Sequence, residues 1–187
     1  MNITELQDKI VQVVNYQATY LTLKYDTEIL RFDFIDKKEF NLSKDKIGQL
    51  DFYETHPLLI DYNEEELTTF INTKPNDLDS FVKDFELAID SITQGWRSWT
   101  KYVTNDSNFT VVNFFNNVKN GTGILLKAPF SITMEVNRIC EKYGVMTKTL
   151  GGERKLDDFK LLLVDDNYVI AREFRLHDQA KLRQGHL

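Results

Sequence analysis

One histidine, one tyrosine and three carboxylates fall within one short segment: Glu54, His56, Asp61, Tyr62 and Glu64. A histidine beside carboxylates can act as a general base or help to bind a divalent cation. The segment nevertheless lacks an HExxH sequence, a second histidine, and the glycine and terminal glutamate of an EF-hand loop. The pattern therefore favours a turn histidine before Pro57 and a solvated acidic run over a catalytic or metal site.

Both tryptophans of the protein lie in the segment Trp96-Arg97-Ser98-Trp99, with Lys101 and Tyr102 directly after it. Aromatic side chains interleaved with cations can stack on nucleobases or form a binding hot spot. Alternatively, a tryptophan just past a helix end can pack into the hydrophobic core, with Arg97 lying over it. Core packing is the favoured interpretation, and an exposed tryptophan would make this segment the leading interaction site.

The glycine pair Gly151-Gly152 precedes two cations in Glu153-Arg154-Lys155, and such turns can present backbone amides to phosphate. There is no GxxxxGK[ST] or GxGxxG sequence, and a strand pattern follows where those loops need a helix. We therefore expect a hairpin connection here. The residues Asp165-Asp166-Asn167 likewise suit a hairpin turn better than a metal site.

The search for a nucleophile finds neither GxSxG nor SxxK. The single cysteine, Cys140, excludes an internal disulfide and a cysteine-rich zinc site. In helical register it joins Val136, Ile139 and Tyr143, which predicts a buried, inert thiol. The sequence therefore favours a protein that is not an enzyme and uses no cofactor or metal.

The elements that must position these residues are organised around a helix within Asn76–Trp99. Its apolar residues recur at three- and four-residue steps and so share one face: Leu78, Phe81, Val82, Phe85, Ala88, Ile89 and Ile92. Asn76 or Asp77 can cap the first turn, and Gly95 suits a left-handed cap at the end. This apolar face of the helix must pack against another apolar surface of the protein.

The remaining periodicities predict three more helices and seven strands. The predicted helices span 3–16, with Thr4 and Gln7 as a capping box; 107–119, capped by Ser107, with Phe109, Val112, Phe115 and Val118 on one face; and 131–143, closed by Gly144. The predicted strands span 19–25, 29–34, 67–72, 124–128, 145–150, 159–164 and 168–174, with a surface loop over 36–50. We expect a single α+β domain over 1–187, with a frayed tail at 178–187.

This order predicts a mostly antiparallel sheet with about four helices packed on one face. The strand, helix and strand between residues 123 and 150 suit one β-α-β crossover. The organising helix would then lie across the sheet.

The net charge of −6 is unevenly distributed along the chain. Residues 1–94 hold 9 Lys and Arg against 19 Asp and Glu, a net charge of −10, and residues 95–187 have +4. An acidic front half repels nucleic-acid phosphates and favours a basic protein partner, unless folding interleaves the halves. The predicted docking residues are Asp61, Glu64, Glu65, Glu66, Trp96, Arg97 and Trp99.

The function expected from the sequence is a non-enzymatic protein-binding module with an acidic face, of a bacterial immunity or toxin-neutralising type. The alternative is a small-ligand binder or hydrolase-like enzyme with a pocket near His56 or Trp96. No secretory signal or membrane-spanning run is recognisable, so we expect a cytoplasmic protein. A homodimer across an exposed sheet edge is a further alternative.

Overall fold

Contacts in the computed structural model divide the chain into two units. The first unit comprises Met1–Leu59 and Asp158–Leu187, and the second comprises Ile60–Asp157. The second unit is therefore inserted into the sequence of the first. The structure describes residues 3–104, 109–152 and 157–178.

The described residues contain five α-helices, eleven strands, and two 3₁₀ helices at Ile3–Leu6 and Pro57–Leu59. In chain order the helices and strands are β1 (Lys9–Tyr16), β2 (Tyr20–Tyr25), β3 (Glu28–Ile35), β4 (Glu39–Asn41), β5 (Ile47–Tyr53), α1 (Ile60–Asn63), β6 (Glu66–Ile71), α2 (Leu78–Thr93), α3 (Thr100–Val103), α4 (Val111–Asn120), β7 (Gly123–Pro129), α5 (Phe130–Lys142), β8 (Thr147–Gly151), β9 (Lys160–Val164), β10 (Asn167–Ala171) and β11 (Glu173–Asp178).

The first unit is built on an eight-stranded antiparallel sheet with the order β11-β3-β2-β1-β5-β9-β10-β4. Neighbouring strands β5 and β9 flank the insertion, because the chain leaves β5 for the second unit and returns on β9. Phe52 on β5 contacts Phe174 on β11, with ring centroids 5.8 Å apart, although three strands separate β5 from β11 in the sheet. The sheet therefore curls around its own apolar core.

The helix predicted over residues 3–16 is wrong. One 3₁₀ turn is followed by strand β1, in which Val11 and Val13 are buried and Ile10 is 61% exposed. This alternation has a period of two residues, and β-branched valines suit a strand paired on both sides. Strands β2 and β5 supply those partners.

The two predicted hairpins are confirmed. Strands β2 and β3 pair through a turn at Asp26, and β9 and β10 pair through a turn at Asp165; both aspartates have positive φ, 52° and 54°. The loop predicted over 36–50 is wrong, since β4 and the start of β5 lie there. The strand predicted over 168–174 is also divided, because β10 ends at Ala171 and β11 then pairs with β3.

The second unit contains the sheet β7-β6-β8 and the longer helices α2, α4 and α5. Strands β7 and β8 both run antiparallel to β6 and hence parallel to each other, and α5 connects them. This arrangement is the predicted β-α-β crossover. The predicted fold class, α+β with mostly antiparallel strands, is confirmed.

Helix α2 confirms the organising helix predicted from the sequence. Asp77 caps it by accepting a hydrogen bond from the Ser80 amide at 3.1 Å. Its buried side includes Phe81, Phe85 and Ile89, and the helix packs against α5. On its outer edge, Asp84 binds Lys142 at 2.5 Å and Tyr143 at 2.8 Å.

Helix α4 begins later, and buries a different face, than the sequence predicted. It starts at Val111, where Thr110 and Asn113 form a capping box; Ser107 lies outside the described residues. Phe114 and Val118 are fully buried, whereas Val112 is 68% and Phe115 39% exposed. The predicted face included Val112 and Phe115 because it followed three-residue steps alone, and such a row drifts around a helix of 3.6 residues per turn, whereas the buried Phe114 and Val118 are four residues apart.

The connection after β8 is not the predicted hairpin. Strand β8 ends at Gly151 in the three-stranded sheet, whereas β9 belongs to the eight-stranded sheet. The cations Arg154 and Lys155 and the predicted tail beyond Asp178 lie outside the described residues. No helix in the described part of the chain combines the length and apolar character that a bilayer span requires.

Candidate functional site

The segment after α2 is held against the end of that helix. Gln94 and Gly95 both adopt left-handed conformations, with φ of 50° and 76°, and reverse the chain. The buried Thr93 hydroxyl then donates to the Arg97 carbonyl at 3.1 Å. These local bonds fix the backbone from which the side chains of Arg97 and Trp99 project.

The Arg97 side chain forms a buried ion pair with Asp61 on α1. Arg97 Nε lies 3.2 Å from Asp61 Oδ2, and the two side chains are only 12% and 9% exposed. Lys101 on α3 also donates to the same carboxylate oxygen. Two cations thus surround one carboxylate, and we call these three residues the Asp61 cluster.

Next to the Asp61 cluster is a pocket of about 160 Å³, which we call the Lys101 pocket. Its lining residues come from α1, β6, α3 and β7: Asp61, Tyr62, Glu66, Lys101, Tyr102, Lys127 and Pro129. Lys127 Nζ lies 3.3 Å from Glu66 Oε1, so the pocket contains two carboxylates and two ammonium groups.

Tyr102 is the least exposed polar residue of that lining, at 2%. Its buried hydroxyl lies beside the Asp61 carboxylate, which is the acceptor available to it. Burial and the negative charge of Asp61 raise the pKa of Tyr102 far above its ordinary value. The phenol therefore remains protonated and can donate a hydrogen bond.

Trp99 has one side in the core and one side in a surface groove. Its ring contacts Phe85 and Phe114 with centroid distances of 6.1 and 5.4 Å. The groove has a volume of about 330 Å³, and we call it the α2 groove; it is lined by Lys83, Glu86, Leu87, Asp90, Arg97, Ser98 and Trp99. The sequence offered core packing and interaction as alternatives, and the position of Trp99 is compatible with both.

Exposed apolar side chains extend from the α2 groove onto α4. Leu87 in the groove is 56% exposed. Phe115 is 39% exposed and meets Trp99 edge-on with centroids 6.4 Å apart, one turn from Val112. A cluster of large exposed apolar side chains marks an interaction surface more often than isolated ones do.

No protein-family model, curated protein or solved structure matches this chain.

The predicted acidic residues have different partners, although Asp61 and Glu66 both line the Lys101 pocket. Asp61 belongs to the ion cluster, while Glu64 accepts a hydrogen bond from the Ser131 amide at 2.8 Å, in the first turn of α5. Glu65 lies against Gly151, where an added Cβ would come within 2.7 Å of its carboxylate, and Glu66 pairs with Lys127. Of the predicted set, the structure brings Asp61 together with Arg97 in an ion pair and with Glu66 in the Lys101 pocket. Trp99 and the half-buried Trp96 lie on the same segment as Arg97.

His56 caps the second 3₁₀ helix. Its Nδ1 accepts a hydrogen bond from the Leu58 amide at 3.1 Å, and its ring contacts Tyr53. The neighbouring Glu54 carboxylate pairs with Lys160 at 2.8 Å. Burial lowers the pKa of His56, which agrees with a ring nitrogen that must stay unprotonated to accept a hydrogen bond.

Cys140 is fully buried on α5, as its register with Val136 predicted. Burial raises the pKa of its thiol to about 12. Within residues 3–104, 109–152 and 157–178, no group of three or more His, Cys, Asp or Glu side chains is arranged to hold a metal ion.

Sequence reasoning missed Leu87, Glu86 and Asp90 in the α2 groove and Lys127 in the Lys101 pocket. One signal for Leu87 was present, because it is a large apolar residue outside the buried stripe of its own helix. Lys127 had no comparable signal. It is one lysine in a predicted strand, and its partner Glu66 is 61 positions away.

Proposed function

We propose that this protein is a non-enzymatic protein-binding module that docks a basic partner on the α2 groove. The observation that carries the proposal is the position of Leu87, a large apolar side chain 56% exposed between Glu86 and Asp90 and in one groove with Trp99. An apolar anchor surrounded by charged residues has the composition of an interface core and its rim.

The charge of α2 defines the kind of partner. The helix and its capping residue carry five acids, Asp77, Asp79, Asp84, Glu86 and Asp90, against one lysine, Lys83. Lys142 neutralises Asp84, which leaves an excess of negative charge along the outer side of the helix. A basic surface would be attracted over distance and oriented by this field.

Two of the residues predicted from the sequence contribute to the same groove. Tryptophan and arginine are enriched at binding hot spots. Contacts with Phe85 and Phe114 hold the Trp99 ring, and Asp61 holds Arg97, so neither side chain loses much conformational freedom when a partner binds. In this proposal Asp61 positions Arg97, and Glu86 and Asp90 supply the acidic rim.

A toxin-neutralising or immunity role is one form of this proposal, in which the basic partner is a toxin and the interaction occurs in the cytoplasm. That form rests on analogy with small acidic proteins of this kind, so the identity of the partner decides it.

The test compares proteins captured from a lysate of the source organism by the wild type and by Glu86→Lys/Asp90→Lys. We expect the wild type to retain one basic protein in stoichiometric amount, which elutes as salt is raised. The double variant should lose it, since two charges at the rim of the groove are reversed.

The matched control is Glu28→Lys/Asp158→Lys, which changes the net charge equally at two exposed acids outside the groove. This variant should retain the partner. Equal loss of the partner from both double variants would show that the interaction depends only on the net charge of the protein. Equal retention of the partner by both would show that the α2 groove is not the docking site.

A further inference from the structure

Strand β8 forms an open edge of the three-stranded sheet. It pairs with β6 on one side, and no strand in the described part of the chain pairs with its other side. The Asn72 amide donates to the Met146 carbonyl at 2.9 Å, which makes these two residues a hydrogen-bonded pair. Because such pairs alternate along an antiparallel ladder, the backbone groups of Thr147, Thr149 and Gly151 point away from β6. This edge therefore offers three amides and three carbonyls to another strand.

The other edge strands have features that discourage pairing with a further strand. Strand β7, at the opposite edge of the same sheet, contains a bulge at Leu125 and ends in Pro129. In the eight-stranded sheet, β4 is only three residues long and β11 carries the charged residues Glu173 and Arg175. Strand β8 pairs with β6 without a bulge, contains no proline and carries one charge, Lys148. It is therefore the edge best suited to strand addition.

Exposed apolar side chains flank this edge on both faces of the sheet. On one face, Met146 and Leu150 alternate with Lys148 and are 60% and 47% exposed. Helix α5 covers the other face, where the side-chain amide of Asn137 donates to the Thr149 hydroxyl at 3.2 Å. Large apolar residues that flank unpaired backbone groups are typical of an interaction surface.

Two of the exposed apolar residues lie on the side of α5 that faces β8. Phe130 and Met134 are seven and three positions before Asn137, so the three residues share one side of the helix. Phe130 is 51% and Met134 44% exposed. A strand added to β8 would cover part of this apolar surface and pair the outward backbone groups at the same time.

We propose that the added strand is β8 of a second copy of this chain, antiparallel to the first and related to it by a two-fold axis at Thr149. The two three-stranded sheets then form one continuous sheet. In this register Thr149 lies opposite Thr149 of the second copy, and Thr147 lies opposite Gly151. A shift by two residues would leave one outward-pointing residue of each β8 without a partner, so this is the antiparallel register that pairs all three.

The side chains of β8 are compatible with this symmetric register. Lys148 lies opposite Leu150 of the second copy rather than opposite a second lysine, so no like charges face each other. On the α5 face, Gly151 lies opposite Thr147 and has no side chain that could collide with it. The Glu65 carboxylate beside Gly151 likewise meets an uncharged residue. The edge is therefore complementary to itself, and it includes none of the residues that line the α2 groove.

The test measures the mass of the full chain by sedimentation equilibrium at concentrations from about 1 to 500 µM, a range that includes weak and moderately tight dimers. We expect the mean mass to rise from that of one chain towards that of two. The melting temperature of every variant is measured in parallel, so that a loss of dimer is not confused with a loss of folding.

Two substitutions of Leu150 test the register. Leu150→Lys places an ammonium group opposite Lys148 at both symmetric positions of the dimer and should weaken dimerisation about tenfold. Leu150→Glu places a carboxylate there instead, so its dissociation constant should stay within a few-fold of that of the wild type. The matched control is Ile47→Lys, at a 61% exposed residue of the eight-stranded sheet, and it should dimerise as the wild type does.

A wild type that stays monomeric over the whole concentration range would overturn the proposal, even if the edge of β8 were found to take a strand from a different protein. A dimer that Leu150→Lys leaves unchanged would overturn it too, because the contact would then lie elsewhere. Equal weakening by Leu150→Lys and Leu150→Glu would contradict the two-fold register at Thr149.

Discussion

Arg97 and Asp61, which are 36 residues apart in the sequence, are joined by a hydrogen bond of 3.2 Å between nearly buried side chains. Arg97 lines the α2 groove and Asp61 lines the Lys101 pocket, so one ion pair links the two candidate sites. The pair also fastens the segment after α2 to α1. Its integrity is a condition for the proposed docking at the α2 groove, which Arg97 lines.

Removing Asp61 should strongly destabilise the protein. In Asp61→Ala, Arg97 and Lys101 both lose the nearly buried Asp61 carboxylate, and breaking a buried ion pair costs about 3 to 5 kcal/mol in the free energy of unfolding. Urea unfolding of the variant and the wild type measures the difference. The control is Glu135→Ala, which removes a surface pair with the 75% exposed Arg138 and should cost less than about 1 kcal/mol. Equal costs would show that the Asp61 cluster does not support the fold.

Two glycines with a similar positive φ should differ in their tolerance of a side chain. Gly121 and Gly95 have φ of 70° and 76°, but a Cβ on Gly121 would lie 2.3 Å from the Lys74 amide nitrogen, whereas on Gly95 the nearest atom is 3.9 Å away. Gly95→Ala should cost about 1 to 2 kcal/mol of unfolding free energy, from left-handed backbone strain alone. Gly121→Ala should cost about 3 kcal/mol or more, since the backbone must also move. Similar costs would contradict the close approach of Gly121 to Lys74.

The stability of the protein should contain a pH-dependent contribution from His56. Its pKa in the folded protein lies below the unfolded value of about 6.5, so the unfolded chain takes up the proton more readily. Stability is therefore lost as the pH falls from 7 through 6.5 towards the folded pKa. In His56→Asn, a side-chain oxygen can accept the Leu58 amide hydrogen without titrating.

Chemical denaturation at intervals between pH 7 and pH 5 tests this contribution. The free energy of unfolding should fall more steeply for the wild type than for His56→Asn. Parallel curves for the two proteins would show that His56 is protonated equally in both states and does not cap the 3₁₀ helix through Nδ1.

Cys140 should be protected from thiol reagents by folding. Its side chain is fully buried and its pKa is raised to about 12, so the native protein has almost no accessible thiolate at pH 8. A colorimetric disulfide reagent should react with one thiol per chain in urea and much more slowly in buffer. Rapid, complete reaction of the native protein would mean that α5 exposes this residue.

The sequence predicts elements well where all the information is local. The apolar spacing of Phe81, Phe85 and Ile89 and the cap at Asp77 define α2 without reference to any other segment. Strand β1 is different, because its residues fit a helical stripe as well as an alternating one. Its partner β5 lies about 40 positions away and decides between the two patterns.

The candidate sites depend still more on contacts between distant segments. The sequence indicated Asp61 and Arg97 separately, as parts of an acidic run and an aromatic segment, and no spacing rule joins them. The charged residues Glu64 and Glu66 were expected to face solvent, whereas Glu64 binds the α5 backbone and Glu66 binds Lys127. The charge of a sequence predicts whether a charged partner is repelled or attracted. Which carboxylates pair within the protein depends on the tertiary fold.

The most direct test of the binding proposal is photo-crosslinking in living cells of the source organism. A photoreactive amino acid is placed at Leu87, in the α2 groove, and separately at Glu28, on the β2–β3 hairpin. The proposal predicts that one basic protein is crosslinked from position 87 and is not crosslinked from position 28. Its crosslink from position 87 should disappear when Glu86→Lys/Asp90→Lys is added. No protein crosslinked from position 87, or the same set from both positions, would contradict it.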